Sequence, residues 1–260
     1  MDKIMIRNCV IIGCGNVASH LRIALQKANI EVLQVFSQKP CGDFPVVTAE
    51  WNQLISGADL YLFSVNDNIY PTYITEFPFH NRLMVHTSGS LPSTIFEQKT
   101  NRYGVFYPFQ SFSKEDKSLC FNEVPVFITG SSEEDTNRLL TLANRLSKQV
   151  KSISDNRRKQ LHLAGVFINN FTNHMVKIGH QLAEDHGFEK ADWMPLLQKT
   201  IEKLSHLTPV EAQTGPARRG DTTILNEHLK LLASQPDIQN IYKFVSENIL
   251  NTYQNNDKKL

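Results

Sequence analysis

The stretch that decides the fold is Cys9-Val10-Ile11-Ile12 followed at once by Gly13-Cys14-Gly15-Asn16-Val17-Ala18. An apolar run, a glycine turn and a helix-like opening in that order predict a strand that delivers the backbone N–H groups of a helix start to a pyrophosphate. Gly13 permits the tight turn and Gly15 lets the backbone approach phosphate without a Cβ in the way. Ala18 takes the third small position, where the helix packs on the strand. Val17, Leu21, Ala24, Leu25 and Ala28 recur at helical spacing behind the turn. Gly13, Cys14, Gly15, Asn16 and Val17 are therefore the expected phosphate cradle of a dinucleotide.

A second strand reads Glu31 to Phe36 and ends in Ser37-Gln38-Lys39, with no acidic residue. A carboxylate there would accept from the diol of an adenine ribose and repel a 2′-phosphate, whereas a hydroxyl, an amide and an ammonium can donate to that phosphate. Ser37 and Gln38 thus join the expected cofactor set, and NADP(H) is favoured over NAD(H).

Of 260 residues, 41% are hydrophobic and 20% charged, and the formal net charge is +1. Such a balance offers no basic surplus for nucleic acid or an anionic membrane. No apolar run approaches the roughly 20 residues that span a bilayer, and no secretory h-region opens the chain, so a cytoplasmic location is expected. The four cysteines form no CxxC pair, and the nine histidines form no HxxxH or HExxH pair. No metal site is expected.

Composition shifts near residue 150. Before it, short β-rich runs alternate with helical patterns: Phe44 to Thr48, Asp59 to Val65, Arg82 to His86, Gly104 to Tyr107, Val124 to Thr129 and Gln149 to Ile153. That alternation predicts an α/β fold with a parallel, doubly wound sheet over residues 1–153. Beyond it, helical periods over Asn156 to His186, Lys190 to Leu207, Asp221 to Ser234 and Ile238 to Tyr253 predict an all-helical domain, 154–260. Its polar tail from Asn255 is expected to be disordered. Apolar periodicity in this half suggests a homodimer formed through the helices.

In an open α/β sheet the ligand lies beyond the carboxyl ends of the strands. Three loops become candidates on that ground. Ser64-Val65-Asn66, followed by Asp67, is placed to pass beneath a nicotinamide ribose, or merely to cap the next helix through Asn66 or Asp67. His86-Thr87-Ser88-Gly89-Ser90 gathers an imidazole and three hydroxyls, with Ser88 a candidate substrate contact. Tyr107-Pro108-Phe109-Gln110 is an aromatic wall with Gln110 as its polar contact. In the helix after Asn156, His162, Asn169 and Asn173 fall within about 20° at α-helical phase, with Asn170 on the adjoining face. Finally, Thr214-Gly215-Pro216-Ala217-Arg218-Arg219-Gly220-Asp221 combines a constrained loop and two guanidiniums with Asp221, placed to N-cap the helix that follows. It suits a carboxylate or phosphate of a substrate.

The order of these motifs resembles the superfamily of β-hydroxyacid dehydrogenases, 6-phosphogluconate dehydrogenase and pyrroline-5-carboxylate reductase. The resemblance implies a Rossmann-like domain followed by a helical domain of the 6-phosphogluconate dehydrogenase C-terminal type. Aligning paired amides puts Asn170 on the hydroxyacid dehydrogenases' Asn, but their catalytic lysine then falls on Val166. A closer resemblance is to a bacterial family labelled as NADP or deazaflavin-dependent oxidoreductases, through His86-Thr87-Ser88-Gly89, Tyr107-Pro108-Phe109-Gln110, His162-x-Ala164 with Asn170, and the Thr214 to Asp221 motif. It covers essentially the whole chain. The motifs themselves, taken together, lead to the expectation of an NADP(H)-dependent oxidoreductase that transfers hydride to or from a small anionic metabolite in a cleft between the domains. His162 or His86 would exchange the proton, Asn170 would orient the reacting group, and Arg219, with Thr214, Arg218 and Asp221, would hold the anionic end. The missing lysine equally fits a dinucleotide-binding sensor or scaffold without turnover.

Overall fold

The computed structural model describes residues 5–42, 47–116 and 118–257. They form two compact units, Met1–Asn170 and Phe171–Leu260.

The first unit is built on an eight-stranded sheet. In chain order its elements are β1 (Asn8–Ile12), α1 (Asn16–Lys27), β2 (Glu31–Phe36), β3 (Val47–Thr48), β4 (Leu60–Phe63), α2 (Tyr70–Glu76), β5 (Met84–His86), β6 (Tyr103–Pro108), β7 (Val126–Gly130), α3 (Glu133–Leu146), β8 (Val150–Ser152) and α4 (Asp155–Gly165). The sheet order is β3-β2-β1-β4-β5-β6-β7-β8. Each apolar run singled out above contributes a strand. The run from Phe44 is described only from Val47, since 43–46 lie outside the described residues.

Strand β1 is buried on both faces: Cys9 to Ile12 are all 0% exposed. Its residues alternate between two layers. Cys9 and Ile11 pack with Leu21 and Leu25 of α1 and Leu139 and Leu142 of α3. Val10 and Ile12 pack with Phe36, Tyr61, Phe63, Tyr70 and Phe77 on the other side.

One expectation is corrected here. The sheet is not wholly parallel, because β7 pairs antiparallel with β6, Pro108 opposite Val126 and Gly104 opposite Gly130. Strand β8 then pairs parallel with β7. β7 buries Val126 and Ile128 on one face, and an alternating apolar strand reads alike in either direction, so nothing in the residues betrays the reversal. Its effect is that β7 and β8 end at the pole opposite the glycine turn. Helix α4 therefore starts near Thr129 and Ile153 and climbs back toward Tyr107 and Phe109 at the carboxyl end of β6.

The long helix expected from Asn156 is interrupted: residues Val166–Phe171 adopt π geometry. The second unit, taken by itself, contains α5 (Thr172–Glu184), α6 (Lys190–Lys203), α7 (Pro209–Ala212), α8 (Pro216–Arg219), α9 (Thr222–Leu231) and α10 (Pro236–Asp257). The tail expected to be disordered from Asn255 is helical as far as Asp257, and 258–260 lie outside the described residues. No described helix is long and apolar enough to cross a membrane. Among the described residues no group of three or more His, Cys, Asp or Glu side chains could hold a metal ion.

Candidate functional site

The glycine turn takes the geometry its residues require. Gly13 has φ +109°, open to glycine almost alone, and a Cβ there would run into the Ser64 carbonyl and lie 2.8 Å from Val65 Cγ1. The Gly13 N–H is held by Phe36 O at 2.8 Å, and Ser64 N–H by Ile12 O at the same distance. Gly15 is different: it adopts φ −74° at the N-cap of α1, and a Cβ there would meet nothing within 4 Å. No side chain caps α1 and no acidic residue stands in its first turn, so the orphan N–H groups of its start face the open side of Gly15. These features suit a pyrophosphate. Val17 is half-buried against the core.

Two of the expected cofactor side chains are committed elsewhere. Asn16 donates to Phe112 O at 2.9 Å. The Ser37 hydroxyl turns inward, donating to Lys39 O at 2.9 Å, accepting from Lys39 N and contacting Cys14 Sγ at 3.3 Å. Ser37 therefore does not present its hydroxyl outward as expected. Gln38 and Lys39 are exposed. Tyr73 Oη lies 3.4 Å from Gln38 Oε1. Ser64 is buried and Asn66 exposed.

The capping alternative for Asn66 and Asp67 is also corrected: neither side chain caps the turn that follows. Asp67 instead accepts from Ser88 Oγ, at 3.0 Å, and from Ser90 Oγ. Ser88 Oγ further accepts from the N–H groups of Ser90 and Leu91, both at 3.1 Å, so its hydroxyl is spent on the turn. His86 is 0% exposed and uses both ring nitrogens: Nδ1 accepts from Ser88 N–H and Nε2–H donates to Pro92 O, each at 3.2 Å. Burial, reinforced by the nearby Arg158 guanidinium, pushes its pKa down to about 4. His86 therefore stays neutral, buried and without a free nitrogen, which withdraws it as a proton carrier and makes it the anchor of the Ser88–Gly89 turn.

That turn meets His162. A Cβ on Gly89 would lie 2.5 Å from His162 Nδ1 and 2.9 Å from Tyr107 Cζ, so the turn presses directly on a side-chain pair. Tyr107 Oη and His162 Nδ1 are 3.0 Å apart. Burial pushes the Tyr107 phenol up to about 12, against the opposing pull of Arg158, so the phenol keeps its proton and donates. The neutral imidazole then carries its proton on Nε2, a tautomer assigned from this bond. His162 itself is half-buried. Tyr107 was visible beforehand only as part of an aromatic wall, since a contact 55 residues apart leaves no trace in local pattern.

Arg158, one helical turn before His162, is 0% exposed. Its guanidinium donates to Asp155 Oδ1 at 2.6 Å, to Leu91 O and to Thr129 Oγ1 at 3.4 Å. Asp155 also accepts from Ser93 N–H at 2.7 Å and Ser93 Oγ at 3.0 Å. The pair ties the base of α4 to the segment after the Ser88 turn and sets where His162 emerges. Higher up, a Cβ on Gly165 would lie 2.6 Å from Phe109 Cε2. Gln110 is exposed, its Oε1 accepting from Ser111 N–H at 2.8 Å.

The π segment changes which amide shares the face of His162. A π turn holds roughly 4.4 residues, so each residue from 166 onward advances about 82° rather than 100°. Counting from His162, Asn170 returns to within about 10° of it while Asn169 swings roughly 90° away. The expected alignment of Asn169 is thus replaced by Asn170, which is exposed.

In the second unit, Asp221 caps α9 as expected, accepting from Ile224 N–H at 3.2 Å. Arg218 lies over the Tyr253 ring, 4.2 Å from its centroid. Arg219 and Thr214 are exposed, and Gly215 and Gly220 take positive φ on either side of α8. These four expected substrate residues form one turn of that unit.

The sheet, glycine turn and helical second half define a Rossmann-like α/β domain followed in sequence by an all-α domain. A Bacteroides fragilis protein described provisionally as an NADP oxidoreductase is similar at 35% identity over 96% of this chain and 100% of its own, with a TM-score of 0.90. The chain belongs to the same family. A Thermotoga maritima protein shares the fold at 17% identity, covering 96% and 99% of the two chains with a TM-score of 0.69. Plasmodium falciparum pyrroline carboxylate reductase, solved with NADP bound, shares it at 13% identity over 95% and 98%, with a TM-score of 0.56. The family model described as a domain of unknown function, DUF2520, matches residues 124–249. No curated protein matches the chain.

Proposed function

We propose that the chain is an NADP(H)-dependent oxidoreductase acting on a small anionic metabolite. The observation that carries this reading is the uncapped start of α1 behind Gly13 and Gly15, a cradle whose shape and polarity fit a pyrophosphate. The Bacteroides fragilis relative supports it. Gln38 and Lys39, both exposed, would donate to a 2′-phosphate. Ser64 and Val65, packed against Gly13, would lie beneath the cofactor. When bound, the nicotinamide supplies or takes a hydride. In reduction His162 Nε2–H gives the accompanying proton while Nδ1 takes that of Tyr107 Oη, and in oxidation both transfers reverse; Asn170 orients the reacting carbonyl or imine, and Arg219 binds the anionic end.

Titration calorimetry with NADPH, NADH and a deazaflavin tests the cofactor, and binding of none of the three would overturn the reading. Once a substrate is found, His162→Gln is expected to lower kcat by about 10² to 10³-fold and Tyr107→Phe by about tenfold, with fold and NADPH affinity retained. His86→Asn should affect stability more than the pH profile. Unchanged turnover in His162→Gln would remove the imidazole from the chemistry, and NADPH binding without consumption by any metabolite would favour a sensor.

We also propose a homodimer through the helical unit. None of the described residues of α5, α6 or α9 is buried, and Leu196, Leu231 and Phe244 are 74%, 78% and 72% exposed. Apolar surface of that extent calls for a partner. Sedimentation equilibrium should give twice the chain mass of 29.6 kDa, and a species at the chain mass would refute it.

A further inference from the structure

A cavity of about 640 Å³ runs along α1 from Ser19 to Ala28 and is lined elsewhere by Cys41 and Gly42, by Lys114, Asp116 and residues 119–122, and by the end of α3. It shares no lining residue with the glycine turn. Among the described lining residues, Lys27, Lys114 and Arg145 stand with Arg22, which also donates to Gln26 Oε1 at 3.1 Å, against one carboxylate, Asp116. In a chain with 27 basic and 26 acidic residues that is a local concentration of positive charge. Asp116 is engaged by Ser118, through its N–H at 3.0 Å and its hydroxyl at 2.6 Å. Arg145 donates to the carbonyls of Ala28 and Ile6, neutral partners that leave its charge uncancelled. Ser19, His20 and Asn122 add neutral polar groups, and Ile23, Leu119, Phe121 and Leu146 give the groove its apolar surface.

Lone surface charges spread apart to lower their repulsion, and here they converge on a concave apolar floor of ligand size. We propose that this groove binds an amphipathic organic anion, a carboxylate or phosphate group carried on an apolar body, at a site separate from the glycine turn. The anionic group sits among Lys27, Lys114, Arg22 and Arg145 while the body covers Ile23 and Leu119. The groove is also wired to the turn: the chain just before Lys114 is bound to α1 through Asn16 Nδ2 on Phe112 O and His20 Nε2 on Ser113 O, at 2.9 and 2.7 Å. An occupant that shifts Lys114 therefore bears on the position of Asn16 through these bonds.

The test is titration calorimetry of the full chain with octyl phosphate, octanoate, inorganic phosphate and octanol, each with and without NADPH. Octyl phosphate or octanoate is expected to bind saturably at a single site, the stronger of the two deciding the anionic group, with inorganic phosphate and octanol far weaker. The double variant Lys27→Glu/Lys114→Glu changes two exposed residues outside the proposed chemistry and should weaken that binding about tenfold or more. Binding that does not saturate, that the double variant leaves unchanged, or that NADPH displaces would overturn the proposal. Failure of NADPH to bind bears on the cofactor reading alone and leaves this one standing.

Discussion

Gly13→Ala is expected to lower the unfolding free energy by about 4 kcal/mol and to abolish dinucleotide binding, whereas Gly15→Ala leaves stability within about 0.5 kcal/mol and loses binding alone. The two glycines stand two residues apart and do different things. At Gly13 the backbone sits at φ +109°, and an added methyl would overlap the Ser64 carbonyl, a backbone atom that moves only if β4 moves against β1. Strain and overlap both act on a pair of strands at the centre of the sheet. At Gly15 the backbone is one any residue adopts and the space beside it is open. Its lack of a Cβ gains nothing for the fold, so a loss on substitution reads out what approaches from outside. Urea unfolding in a Trp193→Phe background followed by Trp51 fluorescence, with NADPH titrations alongside, separates the two; equal stabilities would refute the geometric argument, and unimpaired NADPH binding by Gly15→Ala would refute the cradle.

Arg158→Met is expected to cost about 3 kcal/mol, because removing one partner of a buried pair leaves Asp155 without its counter-charge. Asp155 keeps its two bonds from Ser93, so adding Asp155→Asn should recover part of the loss. The variant also carries a pH signature. The buried His86 has its pKa pushed from 6.5 to about 4 in the folded chain, so between those values the unfolded chain binds more protons. Stability from this group is therefore complete above pH 6.5 and falls by up to about 3 kcal/mol as pH drops toward 4. Burial causes most of the shift and the Arg158 charge adds to it, so the acid limb should shrink in Arg158→Met and vanish in His86→Asn. Denaturant midpoints between pH 4.5 and 7.5 measure it, and an acid limb of the same size in all three proteins would refute the assignment.

Much of this was readable before any coordinates. The apolar runs marked the strands because burial on both faces demands them, and Asp221 capped its helix because a short side chain before a helical period has few better uses. The site was less legible, for reasons of range. Asp67 reads as a cap and is instead claimed by Ser88 and Ser90, more than twenty residues on. Ser37 reads as a phosphate donor and is satisfied by its own turn. Arg158 carries no local mark, since an arginine in a polar helix start looks solvated until its depth is known. The π segment is hidden for a subtler cause: Val166 to Phe171 is as compatible with α as with π geometry, and only packing selects between them.

The reversal of β7 has a consequence for how this chain can be divided. The family match begins at residue 124, where the strand direction flips, and not where the sheet gives way to helices. A fragment ending at 123 would strip two strands and leave β6 as a naked edge inviting intermolecular pairing. One ending at 153 would keep the sheet but leave Leu91, Thr129 and Ser93 facing the void of a missing ion pair, and Phe109 without Gly165. The matched segment, the sheet and the compact first unit thus have three different borders, and the last falls inside a helix, beyond His162.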